Sequence, residues 1–280
     1  MENDNLENIV NLAKEGNKEA LEKLVKNIYK KIYGLSVKML YNPTEAKDAT
    51  QEILIKVITH LSTFRGESSI YTWVYKIAAN YLLRTKKYPG KPKTMSFEEY
   101  EQDLDLDASK NWLEDIHRPL NQLYLDEIRI ACLQGLLLCL NRNYRIVFLL
   151  ADVFDVTSEE GASILGITPA AFRKRLSRAR ESIQSFLFKH CCLVQKDNQC
   201  KCGYHVTSQL NTARFEAQNI MYGANYIQDK DDNMGINLAN EMDELNHIGF
   251  LYKEKAKLET PEILFQNVRE WINSNKFKLL

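Results

Sequence analysis

Between Thr157 and Ile183 the chain spells out two helices with almost nothing between them, TSEEGASILGITPAAFRKRLSRARESI. Thr157 with Glu160 three residues later forms a capping box, in which the hydroxyl accepts from a free backbone N–H and the carboxylate reaches back to the cap. Gly166 supplies the stop that ends the first helix. Thr168 then caps again, Pro169 takes the first helical position, and Ile167 with Phe172 has the spacing of a hydrophobic staple. So short a break fixes the angle at which the second helix leaves the first, and the pair reads as a helix-turn-helix.

The second helix has two unlike faces. Phe172, Leu176, Ala179 and Ile183 follow a four-three-four spacing and point into a core. Ala170, Arg173, Lys174, Ser177 and Arg178 face away, with Arg175 and Arg180 flanking the apolar stripe. A helix that enters the major groove of DNA has this shape, slim near its start and positive where phosphates pass. Arginine and lysine also pair with guanine, so these side chains can read sequence as well as bind backbone.

Helical spacing continues through most of the chain, and strand-type alternation with hairpin turns is missing. The fold class is therefore all-α: two small helical domains on a flexible linker, followed by a mainly helical extension. The first block spans 1–87. Asn17 caps a helix that buries Leu21, Leu24, Val25, Ile28 and Ile32. Asn42-Pro43-Thr44-Glu45 opens another that buries Ile53, Leu54, Val57, Ile58 and Leu61, with Asp48, Gln51, Glu52 and Lys56 on its polar face. Phe64 to Ser69 is a loop, and Ser68 or Ser69 caps the helix that follows. Residues 88–120 read as a linker: Lys86, Lys87, Lys91 and Lys93 precede the acids Glu98, Glu99, Glu101, Asp103, Asp105 and Asp107. A second helical block covers 121–189, a cysteine-rich hinge 190–205, and an extension 206–280 with amphipathic helices near 208–222, 235–256 and 260–274.

The formal net charge is zero, yet its uneven distribution keeps a nucleic-acid partner open. No apolar run reaches the roughly 18 residues of a membrane helix. The polar, acidic start MENDNLENIV is not a signal peptide, so the expected location is cytoplasmic. No glycine-rich phosphate loop, His-Glu-x-x-His or nucleophile setting is found, and the expectation is a protein without catalytic residues.

The segment LNRNYRIVFLLADVFDVTSEEGASILGITPAAFRKRLSRARESI resembles the fourth conserved region of bacterial sigma factors, above all the extracytoplasmic-function group. NPTEAKDATQEILIKVITHLSTFRGESSIYTWVYKIAANYLL is similar to their second region. The resemblance implies a subunit that binds core RNA polymerase and promoter DNA, with an anti-sigma factor as a further partner. Asp48, Gln51, Glu52 and Lys56 fall where the family meets the polymerase. Arg65, Tyr71, Lys76, Asn80 and Arg84 fall on the part that melts the minus-ten element, where aromatic stacking and a positive track capture freed bases. Trp73 and Ile77 read equally as core, and core is the simpler reading for Trp73. Ala170, Arg173, Lys174, Arg175, Ser177 and Arg178 fall on the helix that reads the minus-thirty-five element. The acidic linker reads equally as a nucleic-acid mimic drawn to a basic channel or as a spacer extended by self-repulsion.

Two departures stand out. Gly161 replaces an apolar residue, which implies a soft first helix at about 1 kcal/mol relative to alanine. Asn141-Arg142 replaces the usual Pro-Pro. A helix-turn-helix regulator acting without polymerase is the alternative, and the second-region segment argues against it.

The hinge HCCLVQKDNQCKCGYH lies beyond the minimal family outline. Cys191, Cys200, Cys202 and His205 supply the ligand types of a tetrahedral zinc site, although Cys-x-Cys is less typical than Cys-x-x-Cys. Reduced thiols without metal are the competing reading. Cys132 and Cys139 lie in apolar helical sequence and are expected to be buried.

Overall fold

The computed structural model describes residues 2–84, 95–107 and 119–205. Every regular element among them is helical: α1 (Glu2–Lys14), α2 (Lys18–Leu40), α3 (Pro43–Thr59), α4 (Ile70–Arg84), α5 (Phe97–Asp107), α6 (Pro119–Cys139), α7 (Arg142–Phe148), α8 (Ser158–Leu165) and α9 (Pro169–His190). The all-helical expectation holds. Two compact units divide the described residues, one with 2–84 and 156–173, the other with 95–107, 119–155 and 174–205. The basic run at 86–93, Trp112, and the helices expected near 208–222, 235–256 and 260–274 lie outside the described residues.

In the first unit the capping residues act where the sequence places them. Asn17 Oδ1 accepts from the Ala20 N–H at 3.0 Å, and Asn42 Oδ1 accepts from Thr44 and Glu45 at 3.0 and 3.2 Å. Ser69, not Ser68, caps α4, its hydroxyl accepting from the Thr72 N–H at 3.1 Å. Each cap satisfies donors that the first helical turn leaves open. All ten apolar positions expected on α2 and around α3 are buried, from Leu21 to Leu61. Together they remove enough apolar surface, at about 25 cal/mol per Å², to hold a small bundle. A charged side chain joins this core: Lys38 is only 4% exposed, and burial lowers its pKa to about 8.

α1 precedes the elements read from the sequence. It buries Val10 and Ala13, and Lys14 Nζ donates to the Phe64 carbonyl at 2.8 Å. That bond ties the first helix to the loop ahead of α4.

The second unit corrects the expectation of an extended linker over 88–120. Ser96 and Glu99 make a capping box, with Glu99 N–H on Ser96 Oγ at 3.1 Å and Ser96 N–H on Glu99 Oε2 at 2.8 Å. It starts α5, which docks through aromatic residues. Phe97 and Tyr100 both lie 5.7 Å from the Phe186 ring of α9, and the Tyr100 hydroxyl donates to the Cys132 carbonyl at 3.0 Å. Gly135 on α6 makes room: a Cβ there would stand 2.6 Å from Tyr100. Lys189 reaches Glu101 at 3.3 Å, so part of the acidic run is spent within the protein.

The Asn141-Arg142 departure also has a structural reason. Asn141 caps α7, accepting from the Tyr144 N–H at 3.0 Å. Arg145 is buried and donates to the Leu138 and Leu140 carbonyls, both at 2.9 Å. One guanidinium thus closes the end of α6, and burial lowers its pKa to about 10. After α7 the helix widens into a π turn, Leu149–Val153. Cys132 and Cys139 are half-buried, and desolvation pushes them up to about 11 and about 12.

Candidate nucleic-acid interface

Two surfaces and one cysteine cluster hold the residues singled out from the sequence. On α3, Asp48 and Glu52 are exposed and Gln51 is half-buried, opposite the stripe Ala49, Ile53, Leu54 and Val57. The helical repeat sets them on one polar face. Lys56, one turn further along α3, is exposed.

It lines a cavity of about 700 Å³ with His60, Trp73, Asn80 and Arg84, among others. Trp73, Ile77, Asn80 and Arg84 recur at helical spacing along α4, which turns them to one side. Trp73 is half-buried rather than core, and its ring packs on Phe64 at 5.5 Å and 53°. Tyr81 is a lining residue that the sequence did not single out. The cavity therefore offers an aromatic wall, an amide and two cations, one from Lys56 and one from Arg84. A flat, polar-edged ring with a phosphate attached meets complementary chemistry there.

Of the other residues expected on this surface, Arg65 is exposed in the loop and Lys76 is exposed on α4. Neither lines the cavity. Tyr71 carries Lys31 Nζ 4.9 Å above its ring, which occupies one ring face with a cation from α2.

The helix-turn-helix is built as written. Thr157 Oγ1 accepts from the Glu160 N–H at 3.3 Å, and Glu160 Oε2 accepts from the Thr157 N–H at 3.1 Å. Gly166 turns left-handed at φ 64°, and Thr168 Oγ1 accepts from the Ala171 N–H at 3.1 Å. Gly161 is the close-approach point. A Cβ there would stand 2.2 Å from Cε2 of Phe172, which is fully buried. The glycine that reads as a weak spot in a helix is thus what lets α8 and α9 meet.

On α9, Phe172, Leu176, Ala179 and Ile183 are buried, while Ala170, Arg173, Lys174, Ser177 and Arg178 are exposed and Arg175 is half-buried. Three arginines have protein partners. Arg173 meets Glu159 at 3.3 Å, Arg178 donates to the Tyr144 hydroxyl at 3.2 Å, and Arg180 forks onto both Asp152 oxygens. The bidentate pair fixes Arg180 to the π turn. The exposed pairs of Arg173 and Arg178 are weak enough to exchange for phosphate or guanine.

The four residues named for zinc are not drawn into one group. Among the described residues, no three His, Cys, Asp or Glu side chains are placed to hold a metal. Within the cysteine cluster, Cys200 Sγ lies 3.3 Å from His205 Nε2. Interaction with the Cys202 thiol, helped by the Lys201 and Arg129 charges, holds Cys192 down to about 6, while the same interaction and burial push Cys202 up.

Comparison with known proteins joins the two surfaces. Residues 24–88 match the family model described as Sigma-70 region 2, and residues 130–183 match Sigma-70, region 4. The RNA polymerase sigma-H factor of Pseudomonas aeruginosa is 30% identical over 184 residues, 64% of this chain and 92% of that protein. The ECF RNA polymerase sigma-E factor of Escherichia coli K12 is 28% identical over 187 residues, 63% of this chain and 91% of that protein. A solved structure of CnrH in complex with the cytosolic domain of CnrY aligns at 18% identity and TM-score 0.45, over 64% of this chain and 94% of that one.

The chain belongs to the sigma-70 family, whose members associate with RNA polymerase for promoter recognition. Within that family it is an extracytoplasmic-function sigma factor, and its partners are core RNA polymerase and promoter DNA. The alternative, a DNA-binding regulator independent of polymerase, leaves the region 2 match without a purpose. No helix among the described residues is long and apolar enough to cross a membrane.

Proposed function

We propose that the cavity beside α4 receives a base that leaves the duplex at the minus-ten element, while the exposed basic face of α9 reads the minus-thirty-five element. The observation that carries this reading is the lining of the cavity. Trp73 offers a stacking wall, Asn80 an amide with both donors and an acceptor, and Lys56 and Arg84 the charges that a backbone phosphate needs. Flipping a base costs a few kcal/mol, which stacking and polar contacts inside such a pocket offset. Asp48, Gln51 and Glu52 form a separate polar face for the polymerase. In this reading the chain contributes recognition and strand separation in the cytoplasm, with no bond made or broken by its own side chains.

The test uses holoenzyme assembled from core polymerase and the full chain, with a fluorescent adenine analogue placed in the minus-ten element. Asn80→Ala and Arg84→Ala should each cut the open-complex signal about tenfold, the scale of one lost base contact of roughly 1–3 kcal/mol, with closed-complex binding kept. Full melting by both variants would remove the cavity from the mechanism.

A further inference from the structure

Stacking on Trp73 and contacts to Asn80, Lys56 and Arg84 leave one wall of the cavity without a role. That wall is His60, at which α3 stops, and Thr63, in the short 3-10 turn that follows. Leu61 between them is fully buried and anchors the turn in the bundle. Both polar side chains are exposed, yet their hydrogen bonds to the protein decide what each can offer a ligand.

His60 Nδ1 lies 2.9 Å from the Lys56 carbonyl and 3.0 Å from Thr59 Oγ1. A carbonyl only accepts, and the Thr59 hydroxyl gives its own proton to the Ile55 carbonyl at 2.9 Å. Nδ1 therefore carries the hydrogen. In a neutral imidazole so protonated, Nε2 is a bare acceptor. Because Nδ1 is turned back onto its own helix, the opposite edge of the ring, with Nε2, is the part that lines the cavity. Among the described residues no donor reaches Nε2. Thr63 is committed in the same sense. Its hydroxyl donates to the His60 carbonyl at 2.7 Å, which leaves its oxygen with lone pairs alone.

One wall of the cavity thus presents acceptors only. The group on a base that answers two acceptors is an exocyclic amino group, which has two hydrogens to give. Adenine, cytosine and guanine each carry one. Thymine has none: its single ring N–H stands between two carbonyls, whose lone pairs would face those of the wall. A polar group left unpaired in a closed pocket costs more than the bond it replaces is worth, so the wrong base is rejected more strongly than the right one is held.

We propose, on the reading of this cavity as the receiver of an unpaired base, that His60 is a specificity-determining residue there: Nε2 accepts from the exocyclic amino group, so the cavity takes an amino-bearing base and refuses thymine. Holoenzyme assembled from core polymerase and the full chain tests this, at pH 8. The promoter DNA is held open across the minus-ten element by mismatches, so that base pairing does not enter the comparison. At each non-template position in turn, adenine is exchanged for purine, cytosine for pyrimidin-2-one and guanine for hypoxanthine. Each exchange deletes the exocyclic amino group alone. One position should lose about tenfold in affinity on the exchange. His60→Phe keeps a ring without the acceptor and should bring that ratio close to one. His60→Gln restores an acceptor and should return most of it. A tenfold ratio that persists in His60→Phe, or the absence of any responding position, would overturn the role of His60. If Asn80→Ala and Arg84→Ala still impair melting in that event, the cavity keeps its base and only His60 loses its part. Full melting by both of those variants would remove the cavity and this role together.

Discussion

A methyl group at residue 161 would meet the Phe172 ring at 2.2 Å, and Phe172 has no exposed surface into which to move. Alanine there gains about 1 kcal/mol in helix propensity, whereas overpacking a closed contact costs about 1–3 kcal/mol. The contact wins. Gly161→Ala should therefore lower the thermal midpoint and weaken promoter binding; an unchanged or higher midpoint would return this glycine to the status of a soft spot. Lys38 gives a second residue-scale prediction. Burial lowers its pKa from 10.5 to about 8, so between those values the unfolded chain holds a proton that the folded chain has released. Stability contributed at this site then rises with pH across the window, and at neutral pH the charge is a burden. Lys38→Met should stabilise the protein at pH 7 by about 1–3 kcal/mol, with its advantage over the parent shrinking by pH 10. A variant less stable than the parent at pH 7, with the gap constant in pH, would show that the ammonium holds the fold together. Neither residue was fully legible beforehand. A glycine in a helix and a lysine in an apolar run both look like local costs until the neighbouring element is known.

At the scale of elements, helix starts were the most legible features. Asn17, Asn42, Thr157 and Thr168 all accept the backbone bonds their positions imply, because capping is decided within a few residues. α5 was missed although Ser96 and Glu99 carry the same signature, since the density of acids around them resembles a solvated spacer. What makes it a helix is remote: Tyr100 packing at Gly135 and Phe97 against Phe186. The cavity was half legible. Asn80 and Arg84 stood out as residues for DNA, but Lys56 and Trp73 were given to other roles. Only the approach of α3 and α4 shows that they share one wall. The polar face of α3 carries its own prediction. Reversing charge at Asp48 and Glu52 together should weaken core polymerase binding at least tenfold while leaving the circular dichroism melt within experimental error, since both side chains are exposed. Unchanged affinity would move the polymerase contact off this face.

For the whole molecule, the order of the parts carries the function. A helix bundle with a cavity of about 700 Å³ comes first, and a helix-turn-helix with a basic outer face follows. The two sigma-70 models match in that order. Either region alone is compatible with several nucleic-acid proteins; both in one chain define a sigma factor. The most direct measurement is anisotropy of the fluorescently labelled full chain titrated with bacterial core RNA polymerase in near-physiological salt. The account predicts tight, saturable binding at one chain per polymerase, competed by a known sigma factor. Absence of binding, or binding that a competing sigma factor leaves untouched, would contradict it.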